Sequence, residues 1–296
     1  MARYWRIAGL ISLSTFLCGC EHGVLAPAGP IGEAERTILF DAVAIMLAII
    51  IPVMIATVAV AWWFRASNTR AVYRPEFTYS GRIEMIVWSI PALVIIFLGG
   101  IAWIGSHDLD PAKPIAHAKE PLEIEVVALD WKWLFIYPGQ GIASINRLVV
   151  PADTPLKFRI TSASVFNVFW VPRLGSEIYA MNGMVTQLNL LAYRPGTYPG
   201  LSAHFSGDGF SDMQFDVVAV PQSDFTAWAD KTRSQGPALD KAAYHQLLQQ
   251  SQNHPQVTYR AVEAGLFDKV AMRDLPPGPG PDEGRGGPHL SPKPER

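Results

Sequence analysis

Residues 122–137 read LEIEVVALDWKWLFIY, and the reading of this stretch decides the fold. Leu122, Ile124, Val126 and Ala128 alternate with Glu123, Glu125 and Val127, the two-residue period of a strand with one buried face. The aromatic-rich run Trp131 to Tyr137 follows directly. Toward the C-terminus, Arg147 to Val150 leads into a turn at Pro151-Ala152-Asp153-Thr154-Pro155. Leu156 to Thr161 alternates again, with Lys157 and Arg159 outward. Val165 to Val171, Met184 to Leu191, Thr197 to Phe205 and Met213 to Val220 complete the set. Short strands separated by Gly/Pro turns predict a sandwich or barrel over 122–220.

After Pro221 the period changes. Asp224 to Arg233 and Leu239 to Gln250 read as amphipathic helices, with a weaker segment over Val262 to Met272, so 221–273 forms a C-terminal helical segment. Residues 274–296 are rich in Pro and Gly and are expected to be a disordered tail.

Toward the N-terminus, 107–121 is a Pro-rich linker. Ahead of it stand two uncharged apolar runs, Ala42 to Phe64 and Met85 to Gly105. They predict spans at about 38–64 and 83–105, each longer than the ~20 residues needed to cross the hydrocarbon layer. A buried core helix is the competing reading, and length, lack of charge and flanking arginines oppose it. The loop 65–82 carries Arg65, Arg70, Arg74 and Arg82 against the single acid Glu76, and positive loops stay in the cytoplasm. Residues 20–37 and everything after the second span are therefore expected in the periplasm.

Residues 1–19 have the arginines, short apolar core and small terminal residue of a secretory signal. Leu17-Cys18-Gly19-Cys20 resembles a bacterial lipobox, which would place a diacylglycerol thioether on Cys20; an ordinary signal with incidental cysteines is the alternative. The expectation is a multi-pass, lipid-anchored protein of the bacterial inner membrane. Cys18 and Cys20 are the only cysteines in 296 residues, so the exported domain must hold itself together by packing, without disulfides. The net charge of −2 offers no broad basic surface for nucleic acid.

Two spans followed by a periplasmic β-domain resemble subunit II of the haem-copper respiratory oxidases, and specific stretches strengthen the likeness. Ala128-Leu129-Asp130-Trp131-Lys132-Trp133 resembles the family's aromatic strand. Phe169-Trp170-Val171-Pro172-Arg173-Leu174-Gly175 resembles its strand-to-loop signature, and Ser202 to Met213 occupies the place of its copper loop. The likeness is greatest to the bo-type ubiquinol oxidases. It implies a two-helix transmembrane hairpin followed by an all-β cupredoxin-like Greek-key barrel, with short C-terminal helices.

In copper-bearing members of the family two bridging thiolates, two imidazoles, a thioether and a backbone carbonyl hold a binuclear centre. The matching positions here are Asn167, Leu201, Phe205, Gly209 or Phe210, and Met213. Without thiolates no binuclear copper is expected. His204 reads as a surface loop histidine rather than a weak metal ligand, and Met181 and Met184 read as core filling. The resemblance then implies no cofactor in this subunit and no cytochrome c partner. Haems, copper and ubiquinol belong to a large catalytic subunit, accompanied by small membrane subunits. It also implies a non-catalytic role in a proton-pumping terminal oxidase that reduces oxygen to water. A stand-alone lipid-anchored binding or assembly protein is the alternative.

Two sets of residues carry the remaining expectations. The resemblance places Glu84 at the mouth of a proton pathway, whereas the residue alone reads as a water-exposed carboxylate at a helix N-terminus. Asp130, Trp131, Lys132 and Trp133 form an aromatic stretch expected at a subunit interface, with packing as the favoured role of the two tryptophans.

Overall fold

The computed structural model describes residues 23–72 and 74–281. The signal sequence, Cys20 and residues after 281 lie outside them. The chain divides into two compact units, one of residues 36–110 and one that combines the preceding residues with those from Pro111 onward.

The first unit is built on two long apolar helices, α1 (Pro30–Trp63) and α2 (Gly81–Asp108). Their most apolar stretches have mean hydropathy of 2.9 and 2.4 and bury none of that surface within the chain. These are the two membrane-spanning helices. Helix α1 starts earlier than the apolar pattern suggests, because Pro30 has the fixed φ and the missing N–H that suit a first helical position. Residues 30–37 are therefore helical. Helix α2 likewise takes His107 and Asp108 from the expected linker. At the loop end of α1, Arg65 Nη1 donates to the Trp62 carbonyl at 2.7 Å, and its guanidinium lies 4.6 Å from the Trp62 ring. Asn68 Nδ2 donates to the Trp63 carbonyl at 2.5 Å. Both satisfy carbonyls that a helix end leaves without partners.

The second unit holds the β-domain. Its strands are β1 (Leu122–Leu129), β2 (Lys132–Tyr137), β3 (Ile142–Ile145), β4 (Arg147–Pro151), β5 (Leu156–Ser162), β6 (Asn167–Trp170), β7 (Ile178–Ala180), β8 (Thr186–Leu190), β9 (Gly196–Ser202) and β10 (Gln214–Val220). The C-terminal segment adds α3 (Gln222–Ser234), β11 (Ala238–Leu239), α4 (Lys241–Leu247), β12 (Val257–Tyr259), β13 (Ala261–Val262) and α5 (Leu266–Ala271). Two sheets face each other, ordered β12-β3-β2-β1-β5-β8 and β4-β10-β9-β6-β7. The pairs β1–β5 and β4–β10 are parallel, which requires the chain to cross between sheets. This is the cupredoxin-like half-barrel.

Charge sets one register. Parallel pairing places Glu123 beside Lys157 and Glu125 beside Arg159. The pairs close at 2.7 Å and 2.6 Å on the outer face, while Ile124, Phe158 and Ile160 point inward. Between the sheets lie Trp133, Phe135, Phe158, Phe169 and Phe215. The Phe169 and Phe215 rings stack at 5.0 Å, and Trp133 meets both edge-on.

The six-stranded sheet is also covered on its other face. Val127, Leu129, Leu134, Ile136 and Ile145 pack under Leu239, Tyr244, Leu247, Leu266 and Phe267 of the C-terminal segment. Strand β2 is consequently buried at every residue, which explains a run without alternation. The C-terminal segment is less helical than its pattern suggests. Helix α4 covers only 241–247 of the expected 239–250, with Asp240 Oδ1 capping the Ala243 amide at 2.9 Å, and short strands flank it.

Candidate functional site

The β1–β2 turn is the centre of the site. Leu129 pairs with Lys132, so Asp130 and Trp131 form a two-residue turn, and Trp131 takes a left-handed φ of 57°. A bulky residue in that region costs roughly 1–3 kcal/mol. Burial of the indole, which is 2% exposed, offsets this cost. The indole lies against the loop between β9 and β10, where a Cβ on Gly209 would come within 2.8 Å of it. Only glycine leaves room for that approach.

Beside it sits an inward pair of charges. The Asp130 carboxylate accepts hydrogen bonds from the Ser164 hydroxyl and, at 2.7 Å, from the Gly280 amide. Lys132 Nζ donates to the Gln249 carbonyl at 2.8 Å, to Ser251 Oγ at 2.7 Å and to the Asp130 carbonyl at 3.3 Å. Burial pushes the Lys132 ammonium down to about 8, and the negative charge of Asp130 pulls it partly back.

Asp130, Trp131, Lys132 and Trp133 are each at most 2% exposed. They therefore offer no surface to a neighbouring subunit, and the subunit-interface expectation is replaced by a packing role inside this chain. Trp133 is buried between the two sheets and Trp131 against the β9–β10 loop, while the C-terminal segment closes over Asp130 and Lys132. Residues 276–281 take part in that closure, so the disordered tail cannot begin at 274. Gly278 N donates to the Ala163 carbonyl at 3.0 Å, and Gln250 Nε2 donates to the Gly280 carbonyl at 2.5 Å. Pro and Gly remove the local propensity for helix and strand, but the glycine amides find partners on the domain.

The positions that correspond to copper ligands are scattered in kind and in depth. Asn167 is buried, and its Oδ1 accepts from Ser202 Oγ at 3.1 Å. Leu201 pairs with Gln214 in the β9–β10 ladder, while Phe205 is 65% exposed and meets Phe210 edge-on. Met213 is buried in the core. His204 is exposed, with Nδ1 3.0 Å from the Phe205 carbonyl and its ring against Phe166. An amide, two hydrocarbon side chains and a core thioether do not fit a binuclear copper centre, which requires soft thiolates and imidazoles converging on one point. Among the described residues no three His, Cys, Asp or Glu side chains gather as a metal site. Met184 is 55% exposed and is not core filling.

Glu84 stands in the first turn of α2. Its Oε2 accepts from Trp88 Nε1 at 3.1 Å, and its amide donates to the Ser80 carbonyl at 3.0 Å. It belongs to a separate unit from the β1–β2 turn.

Two family models match the chain. "Cytochrome C oxidase subunit II, periplasmic domain" covers residues 124–225, and "COX Aromatic Rich Motif" covers 233–277. The chain is 48% identical to ubiquinol oxidase subunit 2 of Acetobacter aceti, over 92% of this chain and 89% of that one. It is 44% identical to cytochrome bo(3) ubiquinol oxidase subunit 2 of Pseudomonas aeruginosa, over 87% and 78%. The chain belongs to the quinol oxidase subunit 2 family.

As a quinol oxidase subunit 2 it is one component of an oxidoreductase complex with other oxidase subunits, in a membrane. The aromatic-rich motif corresponds to the segment that covers the outer face of the six-stranded sheet. Sequence reading singled out the aromatic stretch Asp130–Trp133 of this quinol oxidase subunit. It missed the partners Ser164, Gln249, Ser251 and Gly280, which lie 34 to 150 residues from the groups they bind and carry no local signal.

Proposed function

We propose that this chain is the non-catalytic, structural subunit II of a proton-pumping terminal ubiquinol oxidase that reduces oxygen to water. It is anchored by a lipid on Cys20 and carries no copper centre. The observation that carries this reading is the donor set: the Asn167–Ser202 hydrogen bond between β6 and β9 and the exposed Phe205 of the β9–β10 loop stand in place of soft metal donors. Electrons from cytochrome c have no acceptor in such a domain, so the donor is a membrane quinol oxidised on the large catalytic subunit, which also carries the haems and copper. Small membrane subunits complete the complex.

The second part of the reading concerns protons. Glu84 is exposed in the first turn of α2, at the end joined to the arginine-bearing loop, where a carboxylate can collect protons from the cytoplasm. The purified complex is expected to turn over with ubiquinol and to leave reduced cytochrome c unoxidised; the reverse preference would defeat the reading. Glu84→Ala is expected to slow oxygen reduction while the complex still assembles. Wild-type turnover in that variant would remove Glu84 from the proton route.

A further inference from the structure

Helix α2 has one acid in its first turn, Glu84, and one side chain reaches it. Trp88 Nε1 donates to Glu84 Oε2 at 3.1 Å. The two residues stand four apart, so their side chains share one face of the helix. Side chains on a helix lean toward its N-terminus, which carries the Trp88 indole back over the first turn. The rise between the two backbones is about 6 Å. Trp88 belongs to the apolar run 85–105, so the carboxylate is held from the side of the span and not from the loop that precedes it.

The contact is selective in two respects. Arg82 lies two residues from Glu84, yet the two form no ion pair among the described residues. The indole is the one hydrogen-bond donor to the Glu84 carboxylate among those residues, and Oε1 has no protein partner there. Trp88 also differs from the other tryptophans of the two helices. Trp62, Trp63 and Trp103 accept hydrogen bonds at their carbonyls, and among the described residues their indoles donate to no side chain. They fit the ordinary part of aromatics at a membrane interface. Among the described residues Trp88 alone of the four gives its N–H to a carboxylate.

That N–H has a chemical consequence. It fixes Oε2 as an acceptor and leaves Oε1 to take a proton from a hydronium ion, which departs as water. The same oxygen then gives the proton up to the next acceptor. A glutamate without such a tie turns about its single bonds and spends part of its time aimed elsewhere. A proton carrier is effective only while it is aimed.

We propose that Trp88 is the positioning residue of Glu84, holding its carboxylate in the orientation that takes up protons during oxygen reduction. The proposal rests on the reading of Glu84 as a proton-entry group.

The test uses the whole purified oxidase, with ubiquinol turnover expressed per assembled complex. Trp88→Phe keeps the aromatic bulk and removes the N–H. Trp88→Gln removes the ring and keeps a donor that reaches four residues back along a helix. Trp88→Phe is expected to lower kcat about 2- to 10-fold, the worth of one hydrogen bond, with KM for ubiquinol unchanged. Trp88→Gln is expected to recover most of that loss. In a Glu84→Ala background, Trp88→Phe is expected to add nothing, because the group it aims is gone. Three results would each overturn the proposal: wild-type kcat in Trp88→Phe alongside a slow Glu84→Ala, a Trp88→Gln variant as slow as Trp88→Phe or slower, or an additive loss in the double variant. The second would make Trp88 a membrane anchor. Wild-type turnover in Glu84→Ala would instead defeat the proton-entry reading itself, so the two failures are told apart.

Discussion

Lys132 keeps an ammonium inside the chain, and its titration has a sign that can be measured. The folded group loses its proton near pH 8, whereas an unfolded lysine does so near ~10.4. Below pH 8 both states are charged and the fold bears the full burial penalty. Between the two values the unfolded chain binds more protons, so stability rises with pH, by about 1–2 kcal/mol from pH 8 to 9.5. Tyr137 and Tyr244 act in the opposite direction above pH ~10, because burial pushes their phenols far up while unfolded tyrosine ionises there. Urea unfolding of the full chain, followed by tryptophan fluorescence, should show a maximum near pH 9.5–10. The rising limb should vanish in Lys132→Met. Between β6 and β9, Asn167→Ala and Ser202→Ala should each cost ~1–2 kcal/mol, and the double variant less than their sum, since both remove one buried hydrogen bond.

At the scale of elements, the strap of residues 276–281 is the most exposed to test. A chain ending at Leu275 loses the Gly280 amide that the buried Asp130 carboxylate accepts. It should lose roughly 1–3 kcal/mol of stability, and its tryptophan emission should shift to the red and become accessible to acrylamide as Trp131 is uncovered. Unchanged emission would mean that the strap does not shield the indole. Helix α5 is fastened differently. Arg159 joins Glu125 at 2.6 Å and Asp268 at 2.7 Å, and its guanidinium covers the Phe267 ring at 4.7 Å.

What could be read in advance follows from range. The spans and strand β5 were legible because length, charge and alternation are local properties, and the outward Lys157 and Arg159 even anticipate their acidic partners. Strands β3, β7, β11, β12 and β13 are two to four residues long and show no period of their own. The double burial of β2 and the closure over Asp130 depend on residues more than a hundred positions away, which no local pattern encodes.

For the whole molecule, topology is the property to check. The loop with Arg65, Arg70 and Arg74 should stay inside and the β-domain outside. Thr69→Cys should resist a membrane-impermeant maleimide in intact cells, and Asp208→Cys should react; labelling at 69 would invert the orientation. The two-sided burial of the six-stranded sheet also has a consequence for biogenesis. When Val220 clears the export channel, every strand of the half-barrel through β10 has been delivered, yet Val127, Leu129, Leu134, Ile136 and Ile145 still lack their outer cover. That cover ends at α5, some fifty residues later. At ~5–20 residues per second of synthesis the apolar face stands bare for roughly 3–10 seconds. The domain therefore cannot finish folding before its last helix is made.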